Sequence, residues 1–243
     1  MLELQSATLA YNSIVAVDSI NLEIKQGEHI CLIGPSGCGK TSLLGLMNGR
    51  LESSSGKVVL DGKELKSLSR RALKTARSKI AWIPQDLGLV PNLRVNQNIA
   101  CGRASEKGFL GLMRSLLLMG SREKQEVSDL LKRVGIKEKI FHRVDHLSGG
   151  QQQRVAIARA LYQRPEMILA DEPVSSVDPE RAKSLVELLI GLAREEGQTL
   201  VMSLHDIDLA KRYFDRVIGL REGQVVMDGA PDQIDLTKLY DLS

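Results

Sequence analysis

The sequence predicts an α/β fold, a largely parallel sheet flanked by helices and interrupted by an inserted helical segment. Three observations carry this. Short apolar runs that read as strands alternate with helical stretches along the chain. The run HICLI (His29–Ile33) enters the glycine-rich loop GPSGCGKT, as a buried parallel strand does. From Asp86 to about Leu147, strand patterns vanish and helical periodicity and charge take over.

In chain order, Leu2–Leu9 alternates apolar and polar residues and reads as an edge or half-buried strand. Ser19–Ile24 alternates again and ends at the turn Gln26-Gly27-Glu28. After HICLI comes a helix from Lys40 to about Asn48. Lys57–Leu60 is a strand closed by the tight turn Asp61-Gly62-Lys63, Ser69–Ser78 a basic helix, and Ile80–Ile83 another short strand. Beyond the helical block, Met167–Ala170 and Thr199–Ser203 restore buried strands around the helix Pro179–Glu196. Val217–Leu220 and Gln224–Asp228 form a last pair around Arg221-Glu222-Gly223. Only GAPDQIDLTKLYDLS follows, which is expected to leave no room for a separate regulatory domain.

Composition narrows the function classes. The 243 residues are 43% hydrophobic and 26% charged, as in ordinary globular proteins. A net charge of +3 is too small to argue for nucleic acid, and 3% aromatics weigh against base stacking. Cys31, Cys38 and Cys101 are odd in number and lack C-x-x-C spacing, so they read as free thiols of a reducing compartment. The start, MLELQSATLAYNS, lacks the basic-then-apolar order of a signal peptide. Gly108–Gly120 (GFLGLMRSLLLMG) is the most apolar run but is shorter than the ~18 residues a spanning helix needs. The chain is therefore expected to be cytosolic. Within that run Phe109, Leu112, Met113, Leu116 and Leu117 form one helical stripe, with Leu110, Leu118 and Met119 off it. In the basic helix, Arg70, Arg71, Lys74, Arg77 and Lys79 form either a solvated face or one turned to anionic lipid headgroups.

Gly34–Thr41 matches G-x-x-x-x-G-K-S/T and lies between a strand and a helix, where a phosphate cradle requires it. Backbone N–H groups turn inward around phosphate oxygens and the helix N-terminus adds its dipole. Lys40 would reach the β- and γ-phosphates, and the Thr41 hydroxyl would bind Mg²⁺. Cys38 is either a small tolerated residue or a thiol acidified by the helix terminus and Lys40. In ILADE (Ile168–Glu172), an apolar strand ends in two carboxylates. Asp171 is placed to hold the Mg²⁺ that Thr41 touches, and Glu172 to polarise an attacking water as general base.

Leu147–Gln151 reads LSGGQ and continues QQRVAIARAL. With GPSGCGKT and ILADEP, this resembles the ATPase subunit of ATP-binding cassette (ABC) transporters over essentially the whole chain. The resemblance implies a single nucleotide-binding domain with a P-loop NTPase core, residues 1–85 and 155–243, combining a mostly parallel sheet with antiparallel strands near the N-terminus. Residues 86–154 are the inserted helical subdomain that ends in the signature. ATP and Mg²⁺ are the implied ligands. Tyr11 is expected to stack on adenine, and Gly34, Pro35, Ser36, Gly37, Cys38, Gly39, Lys40, Thr41 and Ser42 to cradle the phosphates. Gln85, in WIPQD, matches the glutamine that contacts Mg²⁺ and the γ-phosphate and reports to the membrane subunit. The loop Ser175–Asp178 (SSVD), which ends in Asp178, crosses the dimer interface. His205, in SLHD, contacts the γ-phosphate and positions the catalytic machinery. Ser148, Gly149 and Gly150 precede the periodic helix Val155–Tyr162 and so sit at a helix N-terminus, which favours an anion. With Gln151 they are expected to grip the nucleotide of a second chain in a head-to-tail dimer. Arg154 and Arg159 read as helix solvation without a catalytic role.

HRVDHLSGGQQQRVAIARAL and SLHDIDLAKRYFDRVIGLREGQVVMDG are similar to the ATPases of bacterial phosphonate importers. That branch implies uptake of phosphonate or a related phosphorus oxyanion. A homodimer on the cytoplasmic face of the inner membrane would work with integral permease subunits and, indirectly, a periplasmic or lipid-anchored substrate-binding protein. Importers of another small solute and efflux or lipoprotein-releasing systems use the same motor. Soluble cassette ATPases acting on DNA or ribosomes usually join two cassettes or carry coiled-coil arms, whereas this chain has one signature and no extended heptads. In this setting Gly108–Gly120 either packs within the helical subdomain or borders the groove for the permease's coupling helix.

Overall fold

Two sheets organise the chain in the computed structural model, which describes residues 1–175, 177–233 and 239. Ser176 of the SSVD loop and the tail at 234–238 and 240–243 lie outside the described residues. Strand β1 (Leu2–Tyr11) turns through Asn12 and Ser13 into β2 (Ile14–Ile24), with Tyr11 opposite Ile14 and Asn12 at φ 53°. This hairpin lengthens both strands beyond the periodicity, because asparagine tolerates the left-handed turn. β4 (Ser55–Leu60) pairs with the other side of β1, and β5 (Lys63–Glu64) completes an antiparallel sheet ordered β2-β1-β4-β5. β1 is thus an interior strand and not an edge. Its alternation reports one buried face, which a centre strand of an open antiparallel sheet also shows.

The second sheet has the order β10-β9-β3-β8-β7-β6. β3 (His29–Ile33), β6 (Ile80–Ile83), β7 (Met167–Asp171), β8 (Thr199–Leu204) and β9 (Arg216–Arg221) are parallel, and β10 (Gln224–Gly229) returns antiparallel to β9. β3 is apolar throughout because both its faces are covered. Cys31 and Ile33 enter a core shared with the helices, while Ile30 and Leu32 enter a second core under the antiparallel sheet.

The helices are α1 (Lys40–Met47), α2 (Arg70–Ser78), α3 (Val95–Ala100), α4 (Ala104–Leu117), α5 (Ser121–Arg133), α6 (Gly149–Tyr162), α7 (Pro179–Glu195) and α8 (Ile207–Tyr213). Helix α6 begins six residues before the apolar period at Val155 because Ser148 and Gln151 form a reciprocal capping box. It therefore runs unbroken through residues 154 and 155. Helix α4 departs most from its sequence pattern. Gly108 interrupts it (φ 64°, ψ −177°), Ser115 is its buried residue, and Phe109, Met113 and Leu117 of the apolar stripe are exposed. Of the two expectations for that stripe, packing within the helical subdomain holds only for the half-buried Leu112 and Leu116. Among the described residues, no helix is long and apolar enough to cross a membrane.

Candidate functional site

The loop between β3 and α1 is closed by backbone approach. Gly39, at φ 107°, caps α1, and a Cβ there would lie 2.2 Å from the Ala16 carbonyl oxygen. A side chain at Gly34 would meet the Leu220 carbonyl oxygen at 2.2 Å. These two positions admit only glycine, so the loop is drawn tight against the start of β2 and the end of β9. Lys40 is buried, and its Nζ donates to the carbonyls of Gly34 at 2.8 Å and Pro35 at 3.2 Å. Pro35, Ser36 and Gly37 lie in the loop, Ser42 in the first turn of α1, and Thr41 presents an exposed side chain in that same helical turn. Cys38 is buried, and burial pushes its pKa up against the opposing pull of Lys40. The acidified-thiol expectation fails because desolvation outweighs the cationic neighbour.

The second cluster forms where β7 ends. Glu172 follows Asp171 in a left-handed conformation (φ 45°), and this reversal turns its carboxylate back toward the glycine-rich loop. Glu172 Oε1 is 2.6 Å from His205 Nε2 and 3.7 Å from Lys40 Nζ, and its Oε2 accepts from Gln85 Nε2 at 3.4 Å. Lys40, Gln85 and His205, all named from sequence, thus meet around the Glu172 carboxylate, the four being contributed by the ends of β6, β7 and β8 and by the start of α1. Asp171 is buried beneath it and accepts from Ser203 Oγ at 2.9 Å. Ser203 also accepts the Glu172 N–H at 2.8 Å. This buried hydroxyl ties both carboxylate residues to β8. It carries no sequence signal beyond its place in an apolar strand.

Two more residues escaped the sequence reading. Gln153, on α6, donates from its buried Nε2 to the Pro173 carbonyl at 2.9 Å. Arg159, in the last turn of the same helix, is not a solvated arginine. It donates to the carbonyls of Leu87 at 2.6 Å and Gly88 at 2.5 Å. Those carbonyls belong to consecutive left-handed residues (φ 62° and 54°) just after Gln85. Burial lowers the Arg159 pKa, and its fork fixes the turn that presents Gln85.

The remaining expected residues lie apart from this cluster. Tyr11 is half-exposed at the β1–β2 hairpin, beside exposed Ile14 and Val15. Ser148 caps α6 by accepting from Gln151 N–H at 3.4 Å, and Gly149 and Gly150 form its open first turn. Asp178 caps α7 by accepting from Arg181 N–H at 3.1 Å and is ion-paired with the Arg181 side chain. Oxygen donors suited to a hard divalent cation are present in Thr41, Gln85 and Asp171. Among the described residues no group of three or more His, Cys, Asp or Glu is placed to hold a metal ion by itself. An ion here would take its other ligands from phosphate and water, as Mg²⁺ does.

This geometry agrees with what the chain is similar to. The family described as ABC transporter matches residues 17–175. A phosphonates import ATP-binding protein of Wolinella succinogenes is 41% identical over 245 residues, spanning 99% of this chain and 88% of the relative. Another, from Trichodesmium erythraeum, is 42% identical across 98% of this chain and 90% of its own length. Among solved structures, the dimeric post-hydrolysis state of the ATP-binding cassette MJ0796, bound to ADP and Pi, superposes with a TM-score of 0.82 at 32% identity, covering 95% of this chain and 99% of that one. CbiO1 of Clostridium perfringens, part of the cbiONQ transporter complex, gives 0.83 at 30% identity, covering 98% and 92%.

Proposed function

Because this chain belongs to the ABC transporter family as an ATP-binding cassette, we propose that it is the ATP-hydrolysing subunit of a bacterial importer for phosphonate or a related phosphorus oxyanion. The observation that carries the reading is the convergence of Lys40, Gln85 and His205 on the Glu172 carboxylate. Lys40, held by the loop carbonyls, is the cation for the β- and γ-phosphates. Glu172 accepts the proton of the attacking water, and His205 fixes the carboxylate on the side where the γ-phosphate sits. Tyr11 supplies an apolar face for the base. A bound Mg²⁺ would neutralise charge on the phosphates, with Thr41, Gln85 and Asp171 as its protein donors.

Catalysis in this reading takes a homodimer. The open first turn of α6 at Ser148–Gly150 supplies N–H groups and a positive helix end for the nucleotide held by the second subunit. A cleft of about 550 Å³, lined by Asn48, Arg70, Lys74, Trp82 and Arg159 among others, fits a cytoplasmic helix of the permease. Its occupant would touch Arg159, which holds the Gln85 turn. The permease thereby senses the nucleotide, and a substrate-binding protein on the far side delivers the oxyanion. In this reading the chain sits peripherally on the cytoplasmic face of the membrane.

The test is Glu172→Gln. The variant is expected to bind ATP, lose turnover and accumulate as a dimer in ATP. Turnover near that of the unaltered protein would remove Glu172 as the base. Co-purified permease, reconstituted and assayed with phosphonate, phosphite and phosphate esters, identifies the solute.

A further inference from the structure

Helix α4 is built inside out. After the break at Gly108, Phe109, Leu110, Leu117 and Leu118 are 77%, 82%, 73% and 77% exposed, and Met113 is exposed beside them. The side it buries carries Ser115, which is hydrogen-bonded with Lys107 and Glu123. At ~100° per residue, Phe109, Leu110, Met113 and Leu117 share one arc of the helix, so the exposed apolar atoms are contiguous. A contiguous ridge of this kind is covered by something in the working protein.

The neighbouring charges say what covers it. Helix α2 packs against α4 and exposes Arg70, Arg71, Lys74 and Arg77 with no acidic residue in its sequence. Nearby Lys66 and Lys79 take Glu52, Asp61 and Glu166. None of the four α2 cations is ion-paired among the described residues. A second copy of this surface would bring these cations face to face. A protein helix fits the concave cleft next door, where Leu73 and Trp82 are half-buried in the walls. On α4 the side chains instead stand out from a convex ridge, and a convex apolar ridge flanked by unpaired cations matches a fluid anionic surface. Phe and Leu enter the acyl boundary while guanidinium and ammonium groups meet headgroup phosphates.

We infer that the α4 ridge and the α2 cations form a contact site for anionic phospholipid, which holds this subunit against the bilayer independently of its permease. The test uses the full chain carrying Leu110→Trp with Trp82→Phe, so that a single indole reports, and vesicles of phosphatidylcholine with or without phosphatidylglycerol. Indole emission is expected to shift to the blue and to be quenched by brominated acyl chains in the phosphatidylglycerol vesicles. Adding Phe109→Ser with Leu117→Ser should weaken partitioning at least tenfold, about 1.4 kcal/mol, while ATP turnover stays unchanged. Arg70→Gln with Arg71→Gln and Lys74→Gln should also weaken it and remove its salt dependence. Two results would overturn the inference. One is Leu110→Trp emission insensitive to brominated lipid, whether or not it responds to added permease. The other is vesicle binding that the Phe109 and Leu117 substitutions leave intact. Since vesicle binding is read without permease or oxyanion, its failure leaves the proposed transport function standing.

Discussion

Replacing Ser203 with alanine removes one hydroxyl and leaves two buried groups without a partner. The Glu172 N–H loses its acceptor at 2.8 Å, and Asp171 Oδ1 loses its donor at 2.9 Å. Ser203 is fully buried, so water does not replace it without rearrangement. An orphaned buried polar group costs about 1–3 kcal/mol, which puts the loss of folding stability at about 2–6 kcal/mol for the two. The catalytic effect follows from backbone geometry. Glu172 holds a left-handed φ of 45°, a conformation a non-glycine residue keeps only when its surroundings impose it. Without its N–H partner the turn relaxes, and the carboxylate drifts from His205 and Gln85. A displacement of about 1 Å lowers rate on the order of 100-fold, so kcat is expected to fall by about 10–100-fold. KM for ATP should change little, because the Lys40 cradle does not touch Ser203. Urea unfolding at constant slope measures the stability change, and steady-state phosphate release measures kcat. Ser203→Thr, which keeps the hydroxyl, should recover most of both. A stability change under about 0.5 kcal/mol with kcat intact would refute this account.

Two further predictions follow from side chains that the sequence did not flag. Arg159→Lys keeps the charge but loses the fork that reaches both the Leu87 and Gly88 carbonyls, so it should lower kcat several-fold with ATP binding unchanged. An Arg159→Lys variant with unaltered kcat would show that the Gln85 turn holds itself. His29 is buried with Nε2 3.1 Å from the Gln198 carbonyl and Nδ1 accepting from Arg194 Nε at 3.2 Å, and burial lowers its pKa below the ordinary 6.5. The unfolded chain then binds the proton more readily than the folded one. Stability from this residue is full above pH 6.5 and is lost as pH falls through the lowered folded value. The urea midpoint should drop as pH falls from 6.5 toward the lowered folded value, and a His29→Gln variant should show a shallower drop; equal slopes would exclude His29 as the source.

What could be read from sequence was what is local in sequence. The phosphate cradle needs strand, loop and helix in succession, and all three lie between His29 and Met47. Glu172 was read from the strand-end carboxylates of ILADE, whereas Gln85 and His205 were found through a family resemblance; nothing in the local patterns says that the three meet. Ser203, Gln153 and Arg159 left no trace because they act on backbone groups far away in the chain. A hydroxyl or amide aimed at a distant carbonyl has no periodicity. Cys38 shows two local rules in conflict: a helix terminus and a lysine argue for an acidic thiol, and burial decides against it. In α4 the hydrophobic spacing gave the helix but left open whether its apolar side packs inward or faces a partner. Periodicity reports which residues share a side, and only tertiary packing tells whether that side faces in. Here the Lys107–Ser115–Glu123 network occupies the inner side and turns the apolar residues outward.

Helix α6 is pinned along its length. Gln153 bonds to Pro173, Arg159 to the turn after Gln85, and Gln163 at its end donates to the carbonyls of Ser78 and Ile80. Its 14 residues make a rod of about 21 Å. A rod fastened at several points has few independent movements left. The signature end, the Glu172 segment, the Gln85 turn and the edge of the basic cleft therefore share one set of coordinates rather than four. Tilting the helix at the cleft must displace the other end by a fixed proportion, as a lever does, so substitutions at its separate pins should combine non-additively.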